Sequence, residues 1–374
     1  MEFTETAWRR FRNLKPRRQR WRSGLNALLG PNGSGKTNML ESLAVLSGWG
    51  AFAGNRTSSL VCWDPDEAGG GALLAARAEG ERAFEVKASI TTRLSFRVDG
   101  ERASYSGLRS LLPSLIFLPR DIDLLDGPPS LRRLFIDRLC ALISPPYARR
   151  LAEYRQILRQ RTVLLRSPRP NRTAFEATTL PLIRFGGWIR AVRRGVVDLL
   201  EGELAEEHAL LPCVVVIALE HRGSGAEIPV PGRAVSDKTP GGIDSSPFEE
   251  SLAADLRANL ERERHAGTPL VGPHRDDLSF SCSGRSAALS LSRGQKRRTV
   301  AAMILAAGRV IRSQTRISPI LLLDDVAAEL DAVGRNLMGR ALAASGWQVF
   351  LTGAENPFPD EESTIVPLQD GVIL

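Results

Sequence analysis

The chain has 374 residues, 43% of them hydrophobic and 25% charged, a balance that excludes wholesale disorder, a collagen-like repeat and a continuous coiled coil. Its formal charge is +8 with a pI near 9.8, and forty-five of its fifty basic residues are arginine. The positive excess suits a polyanionic partner, although GC-rich coding also favours arginine over lysine.

In chain order, the first feature is a basic cluster, Arg9, Arg10, Arg12, Lys15, Arg17, Arg18, Arg20 and Arg22, interleaved with Trp8, Phe11 and Trp21. It is either a solvated face, part of it a strand edge, or a surface for phosphates. It has neither the apolar run nor the cleavage site of a signal peptide, and no stretch approaches the roughly 18–20 apolar residues of a membrane span. A cytoplasmic protein is expected. Leu25–Leu29 reads as a short apolar strand that runs into Gly30-Pro31-Asn32-Gly33-Ser34-Gly35-Lys36-Thr37, and Met39, Leu40, Leu43 and Leu46 then recur at helical spacing. Phe84, Val86, Ala88 and Ile90, then Leu94, Phe96 and Val98, alternate as strands, with Asp99-Gly100 as a turn.

From Leu131 to Leu204 the period lengthens. Tyr147, Leu151, Tyr154, Leu158 and Leu165 share one helical seam, and Leu182, Phe185, Ile189, Val192, Val196 and Leu199 share another, which predicts a helical hairpin or small bundle. Val214–Leu219 reads as a strand and 222–247 as an exposed, flexible loop. Phe248, Leu252, Leu256 and Leu260 mark a further helix. Cys62, Cys140, Cys213 and Cys282 lie far apart without a C-x-x-C pair, so neither a zinc site nor a disulfide framework is expected, and all four read as small buried hydrophobes.

Gly30 to Thr37 fits G-x-x-x-x-G-K-[ST], in which backbone N–H groups and a helix N-terminus surround phosphate oxygens. In that pattern Gly30, Asn32, Gly33, Ser34, Gly35, Lys36, Thr37 and Asn38 cradle ATP, Lys36 faces the β- and γ-phosphates, and Thr37 ligates Mg²⁺. Ile320 to Leu323 form an apolar strand ending in Asp324-Asp325. Alone this could mark a strand entering a turn; after a phosphate loop it supplies Asp324 for Mg²⁺ and Asp325 to orient and deprotonate water.

Leu291-Ser292-Arg293-Gly294-Gln295 opens a helix carrying Val300, Met303, Ile304 and Leu305. It resembles the signature motif of ABC-type ATPases, and Ala328-Glu329-Leu330-Asp331 resembles their D-loop. The resemblance implies that Ser292, Gly294, Gln295 and Asp331 meet ATP held by a second subunit, with Ser292 acting in trans. Read alone, Ser292 is a helix cap. Pro119 to Asp137, Phe11-Arg12-Asn13 and Leu270 to Leu278 together resemble the RecF family of DNA repair ATPases.

That resemblance implies an α/β fold, an ABC-type P-loop ATPase head of mixed sheets and flanking helices with an inserted short helical arm. The head comprises 1–127, with the phosphate loop and a β-rich lobe, and 265–374, with the signature motif, the aspartate pair and the D-loop; the arm is 128–264. It further implies Arg12 near the nucleotide, an ATP-dependent homodimer on gapped DNA, assistance in recombinase loading with RecO- and RecR-type partners, and hydrolysis as a reset. Arg149, Arg150, Arg155, Arg159, Arg161, Arg166, Arg169 and Arg172 of the arm offer a surface that tracks phosphates without reading sequence. Arg120, Gly334 and the stretch Gly48 to Phe52 depart from the family pattern. His274 and Arg275 are core or head-interface residues with no catalytic role assigned.

The alternative from another class is the nucleotide-binding subunit of an ABC-type transport complex. Against it, Thr352 stands where transporter ATPases keep a switch histidine. An SMC-type chromosome organiser would need far longer arms.

Overall fold

The computed structural model describes residues 1–52, 57–62, 70–167, 172–207, 209–221, 243–328 and 330–374, with the Arg172 side chain also outside the description. Most of the expected loop at 222–247, Arg169 and Glu329 therefore lie outside the described residues. The chain forms two compact units. Met1–Ile122, Glu206–Pro212 and Leu291–Leu374 make the first; Asp123–Ala205 and Cys213–Ser290 make the second.

In the first unit the expected alternation becomes an antiparallel sheet. Its strands are β1 (Glu2–Arg9), β2 (Arg17–Arg20), β4 (Ala72–Glu79), β5 (Phe84–Ile90), β6 (Leu94–Val98) and β7 (Glu101–Ala103), while β3 (Leu25–Leu29) belongs to a second sheet. The order is β2-β1-β4-β5-β6-β7. Phe84, Val86, Ala88 and Ile90 are all buried, as the period of two requires. The second sheet adds β8 (Ser114–Phe117), β12 (Ile320–Leu323), β13 (Val349–Gly353), β14 (Ser363–Gln369) and β15 (Val372–Ile373) in the order β15-β14-β3-β13-β12-β8. All its pairs are parallel except the β14–β15 hairpin. Ile320, Leu321, Leu322 and Leu323 are fully buried, which is why β12 is a continuous apolar run rather than an alternating one.

Helix α1 (Lys36–Leu46) follows β3, and every residue from Met39 to Leu46 is buried. A helix so enclosed needs apolar neighbours on two sides. It packs on β12 and β13 and also on β4 and β5, so Met39, Leu40 and Leu43 share one core with Leu74, Val86, Leu322 and Phe350. Each such side chain stabilises the unit by roughly 1.5–3 kcal/mol. Helices α2 (Tyr105–Leu111), α9 (Arg293–Thr315) and α10 (Ala332–Ala344) complete the unit.

The second unit holds α3 (Pro129–Ile143), α4 (Tyr147–Leu165), α5 (Arg172–Leu204), α6 (Ser246–Ala258), α7 (Leu260–Ala266), α8 (Ala287–Ser290), β9 (Val215–Glu220), β10 (Asp277–Cys282) and β11 (Arg285–Ser286). The seam residues Tyr147, Leu151, Tyr154, Leu182, Ile189, Val192 and Val196 are buried, and α4 and α5 pack together.

Two expectations fail here. Cys213 and Cys282 are not isolated hydrophobes but form a disulfide, with Cα atoms 5.9 Å apart. Sixty-nine positions separate them in sequence, yet β9 and β10 pair antiparallel with Cys282 opposite Val215, which brings the two ends together. Arg161 is not on a phosphate-tracking surface either. Its guanidinium is buried, 3.1 Å from Glu263 and 4.1 Å over the Phe175 ring.

Candidate functional site

The phosphate loop joins β3 to α1 in the first unit. Gly33 and Gly35 take φ of 83° and 103°, a left-handed backbone that a side chain would strain, and Gly35 caps α1 without any side-chain hydrogen bond. The first N–H groups of the helix are thus left for a ligand. Ser34 is buried and its Oγ has no partner among the described residues. Lys36 turns back over the loop, with Nζ donating to the carbonyls of Gly30 (2.7 Å) and Pro31 (2.9 Å). An ammonium held only by carbonyl oxygens is ready to exchange them for a charged acceptor. Asn32 is exposed at the rim.

Sheet order brings in the aspartates. β12 lies one strand from β3, across β13, so its C-terminal end faces the loop. Thr37 Oγ1 donates to the two Asp324 oxygens at 3.1 and 3.0 Å, although 287 positions separate them. Burial pushes the Asp324 carboxyl up from its ordinary value, and hydrogen bonds from Thr352 and Thr37 restrain the rise. Two hard oxygen donors side by side, one a carboxylate taken out of water, fit a divalent cation such as Mg²⁺. Asp325 is exposed and takes φ of 51°, left-handed for a non-glycine residue immediately after β12.

Two residues to which the sequence assigned no role complete this arrangement. Thr352 on β13 donates to Asp324 Oδ1 (2.7 Å) and accepts from the Asp325 N–H (2.9 Å), so one hydroxyl orients both carboxylate residues. Asn13 donates to the Gly33 carbonyl (3.3 Å) and accepts from Asn38 (2.7 Å), bracing the loop from outside. The adjacent Arg12 does something else. Its guanidinium forks onto Glu41 at 2.7 and 2.9 Å, and Glu41 in turn accepts the Phe52 N–H at 2.7 Å. The departing stretch Gly48 to Phe52 is therefore anchored to α1 through this buried pair.

The signature residues lie elsewhere in the unit. Ser292 caps α9, its Oγ accepting from Gln295 N–H (3.3 Å) while Gln295 Oε1 accepts from Ser292 N–H (2.9 Å). Among the described residues, no hydrogen bond joins Ser292, Gly294 or Gln295 to the phosphate loop. Ser292 is exposed. Asp331 caps α10 through Gly334 N–H (2.7 Å), and a Cβ on residue 334 would come 2.8 Å from Asp331 Oδ1. Glycine at that departing position lets the cap close.

The comparisons with known proteins agree with this geometry. Residues 4–369 match the family model described as the RecF/RecN/SMC N terminal domain. The DNA replication and repair protein RecF of Moorella thermoacetica is 32% identical over 348 residues, 92% of this chain and 88% of that protein. The Frankia alni protein of the same name is 32% identical over 343 residues, 88% and 87% of the two chains. Among solved structures, the recombination mediator protein RecF with ATPrS superposes with a TM-score of 0.84 at 23% identity, covering 100% of this chain and 97% of that one. The Smc head domain of Pyrococcus furiosus with an extended coiled coil, bound to the C-terminal domain of ScpA, gives 0.56 at 16% identity over 99% and 94%. The fold is that of the RecF and SMC head ATPases. The chain belongs to the RecF family, within the wider RecF/RecN/SMC group.

Proposed function

From that membership we propose that the chain is an ATP-dependent DNA-binding repair protein whose head closes on a second copy when ATP binds and reopens after hydrolysis. The observation that carries the proposal is the contact of Thr37 and Asp324 beside a Lys36 that, among the described residues, donates only to backbone carbonyls. The backbone N–H groups from Gly33 to Asn38 receive the phosphates, Ser34 Oγ adds a donor, and Lys36 exchanges its two carbonyls for phosphate oxygens. Thr37 and Asp324 would hold Mg²⁺, which when bound neutralises phosphate charge.

Asp325, exposed and set by Thr352, orients the attacking water and takes its proton. Ser292 and Gly294 sit at the start of α9, where an exposed helix N-terminus offers N–H donors to a γ-phosphate held by the other copy. Asp331 reaches across the same junction. One hydrolytic centre then has its catalytic groups on two chains, which makes ATP the link between dimerisation and turnover.

The DNA is double-stranded next to a single-stranded gap and is held through phosphates without sequence reading; mediator partners of RecO and RecR type follow from the family. Among the described residues no helix is long and apolar enough to cross a membrane. The test is a gel shift on gapped duplex with ATP, ADP or no nucleotide, beside light scattering. Retention of DNA should be strongest with ATP, and strongest of all for Asp325→Asn, which binds but does not hydrolyse. Equal binding with ADP and ATP would overturn the switch.

A further inference from the structure

The antiparallel sheet buries one face in the core and leaves the other open. On that open face the strand register lines up Arg18, Ala7, Ala75, Lys87, Arg97 and Arg102 in one row. A parallel row reads Arg9, Leu73, Ser89 and Ser95. All of these but Arg18 line a trough of about 730 Å³, which Tyr105 also lines. Leu73 is 49% exposed and Tyr105 42% exposed, and both line the trough.

Lys87 stands directly opposite Arg97, and Arg97 opposite Arg102, and like charges in direct register weaken a sheet. Among the described residues Lys87 pairs with Glu85 at 2.7 Å, and Arg18 at the far end of the row lies 3.5 Å from Glu5. Arg97 donates to the Gly100 carbonyl at 2.7 Å, and Arg9 and Arg102 have no ion-pair partner among the described residues. The fold tolerates this repulsion beside an exposed apolar floor, and the nucleotide site uses neither.

We propose that this face docks an extended acidic segment of a partner protein carrying one large apolar side chain. The chemistry selects that occupant: Arg9, Arg97 and Arg102 receive carboxylates, while the floor of Ala7, Ala75 and Leu73 receives the apolar group. A phosphodiester chain would satisfy the cations and leave the floor uncovered.

The probe is a short fluorescein-labelled peptide of aspartates and glutamates around a central phenylalanine, titrated with the full chain and read by anisotropy. Two controls are its phenylalanine-to-serine version and an oligo-thymidine of the same length. Arg97→Glu with Arg102→Glu should weaken peptide binding by roughly tenfold or more, as should Leu73→Ser and loss of the phenylalanine. ATP hydrolysis and the thermal midpoint should stay at wild-type values in both variants. The proposal is overturned if the wild-type chain does not bind the peptide, if neither variant changes its affinity, or if oligo-thymidine binds as tightly and is lost with the same substitutions.

Discussion

The charge cluster around Asp276 in the second unit and the phosphate loop in the first bury charge to opposite ends. In the second unit, Asp276 accepts from Arg190 at 3.0 and 2.8 Å and lies 3.0 Å from His221 Nδ1. Arg193 donates to Asp137 (2.8 Å) and to the Pro273 carbonyl (2.7 Å), and Tyr147 closes on Asp137 at 2.6 Å. Arg132 forks onto Asp277 at 2.7 and 2.9 Å. Each charge there has found a counter-charge. At the phosphate loop the accounts are left open: among the described residues Lys36 donates to carbonyls and to no carboxylate, Asp324 is held by two hydroxyls, and Ser34 Oγ has no hydrogen-bond partner. A completed cluster specifies a fold; an incomplete one awaits a ligand.

The contrast can be broken from either side. Asp276→Ala takes both hydrogen-bonded carboxylate oxygens from buried Arg190 and leaves it Asp255 at 3.6 Å, which should cost about 3–5 kcal/mol, read as a fall in the denaturation midpoint. Burial pushes the Asp276 carboxyl up, but Arg190 and His221 outweigh it and hold it down to about 2. An unfolded aspartate titrates near ~3.9, so this contribution is complete above roughly pH 4 and fades as pH falls toward 2. Wild-type stability should drop through that window, and Asp276→Asn should flatten the drop.

Lys36→Ala should do the reverse, leaving the midpoint in place while kcat for ATP falls about 10²–10³-fold. A variant that melts early instead would put Lys36 among the structural charges. Ser292→Arg sharpens the comparison across subunits: ATP should still bind, no ATP-driven dimer should form in light scattering, and lost capping should cost only about 1 kcal/mol. Thr352→Val removes the donor to Asp324 and the acceptor for Asp325 N–H, and hydrolysis should slow by about tenfold with ATP affinity little changed. Thr352→Ser should restore it. The smallest effect belongs to Arg159→Glu, exposed on α4. If that side chain tracks a phosphate, the slope of log affinity against log salt should fall by about one.

How much of this could be read from the chain depends on range. The phosphate loop, β3, α1, β5, β6 and β12 were legible because each is written in consecutive residues with its own period. The ligand-ready part of the site was legible for the same reason. The contacts of Asn13 and Thr352 were not, although both positions stand out in the sequence, since only the fold sets them beside Gly33 and Asp324. Arg161, Arg190 and Arg193 look like solvent-facing charges in sequence; carboxylates from other elements, Glu263 and Asp276 among them, make them core residues. The Cys213–Cys282 pair was hidden likewise, its closeness resting on β9–β10 register.

Strand order has one more consequence, for synthesis on the ribosome. β3 carries the phosphate loop within the first tenth of the chain, yet its two neighbours, β13 and β14, are Val349–Gly353 and Ser363–Gln369. The Gly371 N–H then donates to the Ser34 carbonyl at 2.9 Å. A nascent chain, or a message cut short, therefore holds the whole nucleotide motif without the strands that shape it. A chain that stops short of Val349 therefore carries the phosphate loop on a strand that has neither of its two neighbours.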